Sequence, residues 1–363
     1  MNKYRRVRQK WETLRQTVFP SKKFFFLKRV CIFRRPNQTI YFMKTVLRTF
    51  LYLIILVIVA VVGFVCFIQL RGIPKYEVDK IDYPQVQSDS DLVANGQKIA
   101  SVQCIVCHRG SDGKLSGRLL QELPPDFGEI HSANITQSKE HGIGNWKDSE
   151  IAYLLRTGVK PDGQYLPVYM PKFPHASEYD IKSIIAFLRS DNPYVQASEI
   201  PKVPTKPSFL TKFLCFVAFK KIPYPAAPIA QPDTTNLVEF GHYLVTGRYD
   251  CYPCHSADFK TLNMEFPEKT PGYLGGGNKM LTLDGKERFT ANITGDEETG
   301  LGRWTLEDFT KAMRESKNKD GKTLREPMLP YNGMTDLEVK SIWAYLQTVP
   351  KIKNVVDRKW EQD

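Results

Sequence analysis

"QCIVCHRG" occupies residues 103–110, and its reading decides the fold. Cys104 and Cys107 stand one helical turn apart, and His108 follows the second at once. Structural zinc takes four Cys or His ligands. A single copy of this motif offers too few, and an adjacent Cys and His rarely point at one tetrahedral ion. A redox dithiol of the C-x-x-C type calls for a thioredoxin-like strand–helix–strand context, and no strand pattern surrounds these residues. The C-x-x-C-H signature of haem attachment accounts for all three. Two thiols at this spacing add to the two vinyl groups of one haem, which aims the next residue, His108, at the iron. "CYPCH" at 251–255 repeats the arrangement with Cys251, Cys254 and His255. The expectation is two covalently bound haem c groups.

The second copy belongs to a longer repeat. "SANITQSKEHGIGNW" (132–146) aligns with "TANITGDEETGLGRW" (290–304), identical at eight of 15 positions. The same offset of 158 carries "DGQYLPVYM" (162–170) onto "DGKTLREPM" (320–328) and "IKSIIAFL" (181–188) onto "VKSIWAYL" (339–346). Two homologous domains are expected, at 88–192 and 233–350. Their pattern is helical, with little that reads as strand. "DLVANGQKIASVQ" precedes the first motif, and "DSEIAYLLRTG" ends on Gly158, a C-terminal cap glycine. Thr305 with Asp308 and Thr335 with Glu338 stand at capping-box spacing. The expected fold class is all-α: two tandem class I cytochrome c-like domains, short helices and long loops around a covalent haem.

The sixth iron ligand decides the chemistry. Met170 and Met328 hold equivalent places, 62 and 73 residues beyond His108 and His255, each before its domain's last helix. One methionine alone would read as a core gap-filler; two in register read as axial ligands. Met334, His131, His141 and His175 lack a counterpart of their own type and read as loop or surface residues. His/Met ligation raises the reduction potential and suits electron transfer. Asn134 and Trp146, with Asn292 and Trp304, are the other shared features. Two readings stand side by side: donors to a haem propionate, a charge that needs partners, or a turn with a packed aromatic.

The chain has 363 residues and a formal charge of +12. Residues 1–48 carry 14 Lys/Arg against one acidic residue, Glu12, so the remainder is nearly neutral. The basic excess therefore does not point to nucleic acid. It precedes "FLYLIILVIVAVVGFVCFIQL", Phe50 to Leu70, an uncharged run long enough to span a bilayer. Residues 49–71 read as an uncleaved anchor, 1–48 as a basic cytoplasmic tail with Met43 as an alternative start, and the rest as periplasmic. A cleaved signal peptide is the competing reading, but the run is long for one and no small-x-small site follows. Residues 193–232 read as a Pro-rich linker and 351–363 as a tail. The apolar stretch Phe209 to Phe219 is expected as a short helix, packed between the domains or lying on the membrane surface.

"FGEIHSANITQSKEHGIGNW" with "LPVYMP", and "GHYLVTGRYDCYPCH" with "YLGGG" and "TANITGDEETGLGRW", resemble the cytochrome c subunits of bacterial membrane-bound alcohol, gluconate and aldehyde dehydrogenases. The resemblance covers about 88–350. It implies that Cys104, Cys107, His108 and Met170 hold one haem and Cys251, Cys254, His255 and Met328 the other. It also implies a redox partner such as a dehydrogenase or oxidase. Those subunits carry three haems and a C-terminal membrane helix, whereas this chain shows two motifs and an N-terminal apolar run. The expected function is electron relay at the inner membrane, on the periplasmic side. The alternative is a dihaem enzyme, peroxidase or thiosulfate dehydrogenase-like, with one unusual haem.

Overall fold

The computed structural model describes residues 36–357, with side chains from Ile40 onward. Most of the basic tail expected at 1–48 and the last six residues lie outside the described part. The chain divides into two compact units after Gly63. Helix α1 (Pro36–Arg71) begins well before the expected 49 because nothing in "PNQTIYFMKTVLRT" breaks a helix. It is the one helix among the described residues long and apolar enough to cross a membrane, and its apolar side chains other than Ile68 are largely exposed.

The second unit is built on two helix pairs. In the first, α2 (Ser90–Gln103) packs against α5 (Glu178–Leu188). Between them come α3 (Ile105–His108), which carries the first cysteine motif, and α4 (Asp148–Thr157). The pair closes tightly because Gly96 has no side chain. A Cβ there would run into the Ser183 carbonyl oxygen and lie 2.8 Å from Phe187 Cβ. Further along comes α6 (Phe209–Val217). In the second pair, α7 (Leu237–Tyr243) packs against α10 (Asp336–Leu346), with α8 (Tyr252–His255) and α9 (Leu306–Glu315) between. Gly241 makes the same approach, to the Ser341 carbonyl oxygen and 2.8 Å from Tyr345 Cβ.

The end signals read from sequence are in place. Gly158 caps α4 at φ 77°, and Thr305 with Asp308 and Thr335 with Glu338 form reciprocal capping boxes. Among the described residues, strand is confined to two short antiparallel pairs. β1 (Gly128–Glu129) pairs with β2 (Lys206–Pro207), and β3 (Lys279–Leu281) with β4 (Glu287–Phe289). The first core gathers Ile99, Ile151, Leu155, Ile181, Ile185 and Phe187. The second gathers Phe240, Leu244, Phe309, Val339, Ile342 and Leu346.

One irregularity separates the pairs. Gly96 precedes His108 by 12 residues, while Gly241 precedes His255 by 14. A π-helical turn at Leu244–Arg248 absorbs the difference. Such bulges re-aim side chains and recur at functional sites. This one directs Arg248 and Tyr249 into the seam between the pairs. There Arg248 meets Asp180 at 2.7 Å and Glu338 at 2.7 Å. Asp180 and Glu338 are themselves separated by the repeat offset, and each is reached from the other half. Lys98 of α2 donates to Glu338 at 2.8 Å, and Tyr243 of α7 donates to Asp180.

Candidate functional site

Each cysteine motif sits on one turn of helix just after the first member of a pair. Cys104, Cys107 and His108 lie on α2's end and α3. His108 is buried, and its Nδ1 lies 2.7 Å from the Ala133 carbonyl oxygen. Burial holds its pKa below the ordinary value, with Arg118 assisting against the Ala133 hydrogen bond. A neutral imidazole that donates from Nδ1 keeps its lone pair on Nε2, the form that ligates a metal. His255 repeats this, with Nδ1 at 2.9 Å from the Ala291 carbonyl oxygen.

Two glycines build the cradle. Gly117, at φ 89°, donates its N–H to the His108 carbonyl at 2.8 Å. Gly276, at φ 69°, does the same for His255 at 2.7 Å. A Cβ on Gly117 would collide with Ser132 and Ala133, and one on Gly276 with Ala291. The glycine therefore lets the strand bearing the alanine carbonyl press against the histidine turn. Sequence reading singled out the Asn and Trp of this region and missed the alanines. The available signal was the shared "AN" beside a glycine-bearing loop, "SGR" at 116–118 and "LGGG" at 274–277.

The asparagines hold turns. Asn134 donates to the Ser198 and Ile200 carbonyls and accepts from the Thr136 N–H and hydroxyl. Asn292 donates to Thr299 Oγ1 and the Ile352 carbonyl and accepts from Thr294 in the same way. Both side chains are spent on holding a turn to a distant backbone, which leaves no donor for a propionate. Trp146 and Trp304 pack at the edges of the two cores.

A cavity of about 940 Å³ runs along the seam. Cys107 and Met170 line it from the first half, and Cys251, Cys254, His255 and Met328 from the second. Trp304 and Asn292 also face it. Met170 and Met328 are held alike, each N–H bonded to the carbonyl three residues earlier, at 3.2 and 3.1 Å. The rivals lie elsewhere. Met334 is buried in the second core. His175 Nε2 is 2.9 Å from the Met264 carbonyl oxygen, and His131 is 3.2 Å from Glu129. His141 sits beside Glu140 and Glu199.

The donor set discriminates among the chemistries. Burial pushes the Cys104 thiol up to about 12 and Cys107 up to about 11. Cys254 rises to about 12 for the same reason. Redox-active dithiols need lowered pKa values and electropositive surroundings, so these buried thiols do not fit thiol–disulfide exchange. Paired cysteines on one turn, an oriented neutral imidazole and a methionine on a large apolar cavity do fit a covalently held haem.

Comparison with known proteins agrees. Residues 93–191 match the cytochrome c family. The chain is 27% identical to the cytochrome c subunit of the quinone alcohol dehydrogenase of Gluconobacter oxydans, over 63% of this chain and 48% of that one. It is 29% identical to the gluconate 2-dehydrogenase cytochrome c subunit of Pantoea cypripedii, over 70% and 56% respectively. A diheme cytochrome c-type protein of Cereibacter sphaeroides is 26% identical over 74% of this chain and 92% of its own length. The chain spans about half the length of the dehydrogenase subunits it matches. A cytochrome c domain implies covalent haem c, and dehydrogenase cytochrome subunits imply electron transfer. The chain thus carries a cytochrome c domain and is related to the cytochrome c subunits of alcohol, gluconate and fructose dehydrogenases and to a diheme cytochrome c.

Proposed function

We propose that this protein is a dihaem cytochrome c, anchored by α1 in the inner membrane, that relays electrons on the periplasmic side from a dehydrogenase to the respiratory chain. Residues 88–192 and 233–350 are its two haem domains. Cys104, Cys107, His108 and Met170 would hold one haem, and Cys251, Cys254, His255 and Met328 the other. The observation that carries this reading is the matched construction of the two sites. Each histidine donates to an alanine carbonyl and is braced by a positive-φ glycine, and Met170 and Met328 both line one shared cavity.

When bound, haem c supplies a one-electron Fe(III)/Fe(II) couple. The chain does the rest. Ala133 and Ala291 fix the imidazole tautomer and ring orientation, which sets ligand basicity. Met170 and Met328 would each supply a thioether ligand, which favours the reduced state of a haem and fills its last coordination position. The cores exclude water, and the Arg248 seam keeps the two cysteine motifs in fixed relation, helped by Gln103, which donates to the Tyr249 carbonyl at 2.5 Å. A dihaem enzyme would need a displaceable ligand, and both His131 and His175 already have other partners, Glu129 and the Met264 carbonyl.

The test is spectroscopic. Ferric protein should show a methionine–iron charge-transfer band, and Met170→Ala and Met328→Ala should each remove part of it. Each variant should lower the potential of one haem and open it to cyanide. A variant with unchanged spectrum and potential removes that methionine from the site.

A further inference from the structure

Helix α6 (Phe209–Val217) is built inside out for a water-soluble helix. Its fully buried residues are Thr211 and Cys215. Thr211 donates to the Phe127 carbonyl at 2.8 Å, and Ser208 caps the helix start. Phe209, Leu210, Phe213, Leu214 and Phe216 each keep part of their surface exposed, and Val217 is 49% exposed. A helix that is apolar on its outer face belongs in a core or in lipid.

Its neighbours say which. Phe213 and Phe216 pack edge-on against Phe64, at 6.2 and 5.9 Å between ring centres, and Phe216 against Phe67 at 5.8 Å. Phe64 and Phe67 belong to the uncharged run Phe50 to Leu70. At 1.5 Å per residue they lie about 10 and about 6 Å before Arg71, the first charge after that run. Amphipathic helices that lie on membranes bury their apolar face about 5–10 Å into the headgroup boundary. The cations sit at the right level. Arg71 lies over the Phe67 and Phe216 rings, Lys220 over Phe216, and Lys212 reaches Gln69 at 2.6 Å. Long cationic side chains place their stems on apolar surface and their heads at the interface in this way.

We propose that α6 is a second membrane contact, immersed in the same leaflet through which α1 emerges, with its phenylalanines toward acyl chains and Lys212, Lys220 and Arg71 among lipid phosphates. The chain then stands on two points, which fixes how the haem-bearing unit is tilted on the membrane. Residues 218–222, which follow α6, form part of the cavity wall, so this footing also sets that wall against the membrane plane. The inference rests on the reading of α1 as an anchor.

The test uses the full-length haem protein in vesicles of phosphatidylcholine and phosphatidylglycerol. The lipids carry a photoactivatable diazirine near the glycerol end of the acyl chain, and labelled peptides are mapped by mass spectrometry. Labelling of 209–217 should match that of 64–70 within about threefold, since both occupy one depth. Strong labelling of 50–70 with none of 209–217 overturns the proposal, leaves the anchor standing, and assigns the apolar face of α6 to a protein. Labelling of neither stretch overturns the anchor reading and the proposal together.

Discussion

Replacing Arg248 by methionine should destabilise the haem-bearing unit more than any surface change. Arg248 is 4% exposed and stands between two carboxylates, Asp180 at 1% and Glu338 at 3%. Methionine fills much of the volume but leaves both acids short of a cation. Removing one member of a buried pair costs about 3–5 kcal/mol, because the remaining charge stays desolvated. Glu338 keeps Lys98 at 2.8 Å and the Tyr249 hydroxyl at 3.0 Å, and Asp180 keeps Asn95 and Tyr243. The lower end of the range therefore applies, about 3 kcal/mol. At roughly 2–4 °C per kcal/mol, the melting midpoint should fall by roughly 6–12 °C. Thermal and denaturant unfolding of haem-loaded wild type and Arg248→Met, both followed by far-ultraviolet circular dichroism, measure the midpoint shift and the free-energy loss. Adding Asp180→Asn to the variant should recover part of the loss, since the two positions share one network. A loss under about 1 kcal/mol, the value of an exposed ion pair, would refute the claim that the seam is a buried, mutually dependent network.

Gly96→Ala and Gly241→Ala should each force a helix pair apart. Overpacking costs typically about 1–3 kcal/mol, and here the obstacle is backbone, the Ser183 or Ser341 carbonyl. Both variants should yield less haem-loaded protein on expression, read as the ratio of haem absorbance to protein, and an unchanged ratio would contradict the close approach. Glu338 supplies a pH dependence. Burial resists its ionisation, but Lys98, the Thr335 N–H and Arg248 outweigh burial and hold its pKa below the ordinary 4.5. Its contribution is complete above 4.5 and is lost as pH falls through the lower folded value. Stability measured from pH 6 downward should decline less steeply in Glu338→Gln than in wild type below about pH 4.5.

The features legible in the sequence were those set by local chemistry. Capping boxes, the Gly158 cap and the C-x-x-C-H turns depend on residues within one helical turn, so spacing alone reveals them. The 158-residue offset also located Asp180 and Glu338 at matching positions, though not their meeting through Arg248. That contact needs the π turn at Leu244–Arg248, which comes from two extra residues with no mark of their own. Asn134 and Asn292 left two readings open because a satisfied turn and a ligand donor look alike until the Ser198, Ile200 and Ile352 carbonyls come into place from 60 or more residues away. The Ala133 and Ala291 carbonyls were invisible for a related reason: any residue has one, and only the fold decides which meets a histidine. Helix α6 was foreseen, but its company was not. It packs on Phe64 and Phe67.

In the proposed function both cysteine motifs carry haem. Intact-mass measurement of the denatured chain, with alkaline pyridine spectra for stoichiometry, tests it directly. The prediction is two covalent haem c groups per chain, falling to one in Cys104→Ala/Cys107→Ala and to one in Cys251→Ala/Cys254→Ala. A wild-type chain that retains a single haem, or none, after denaturation would contradict it.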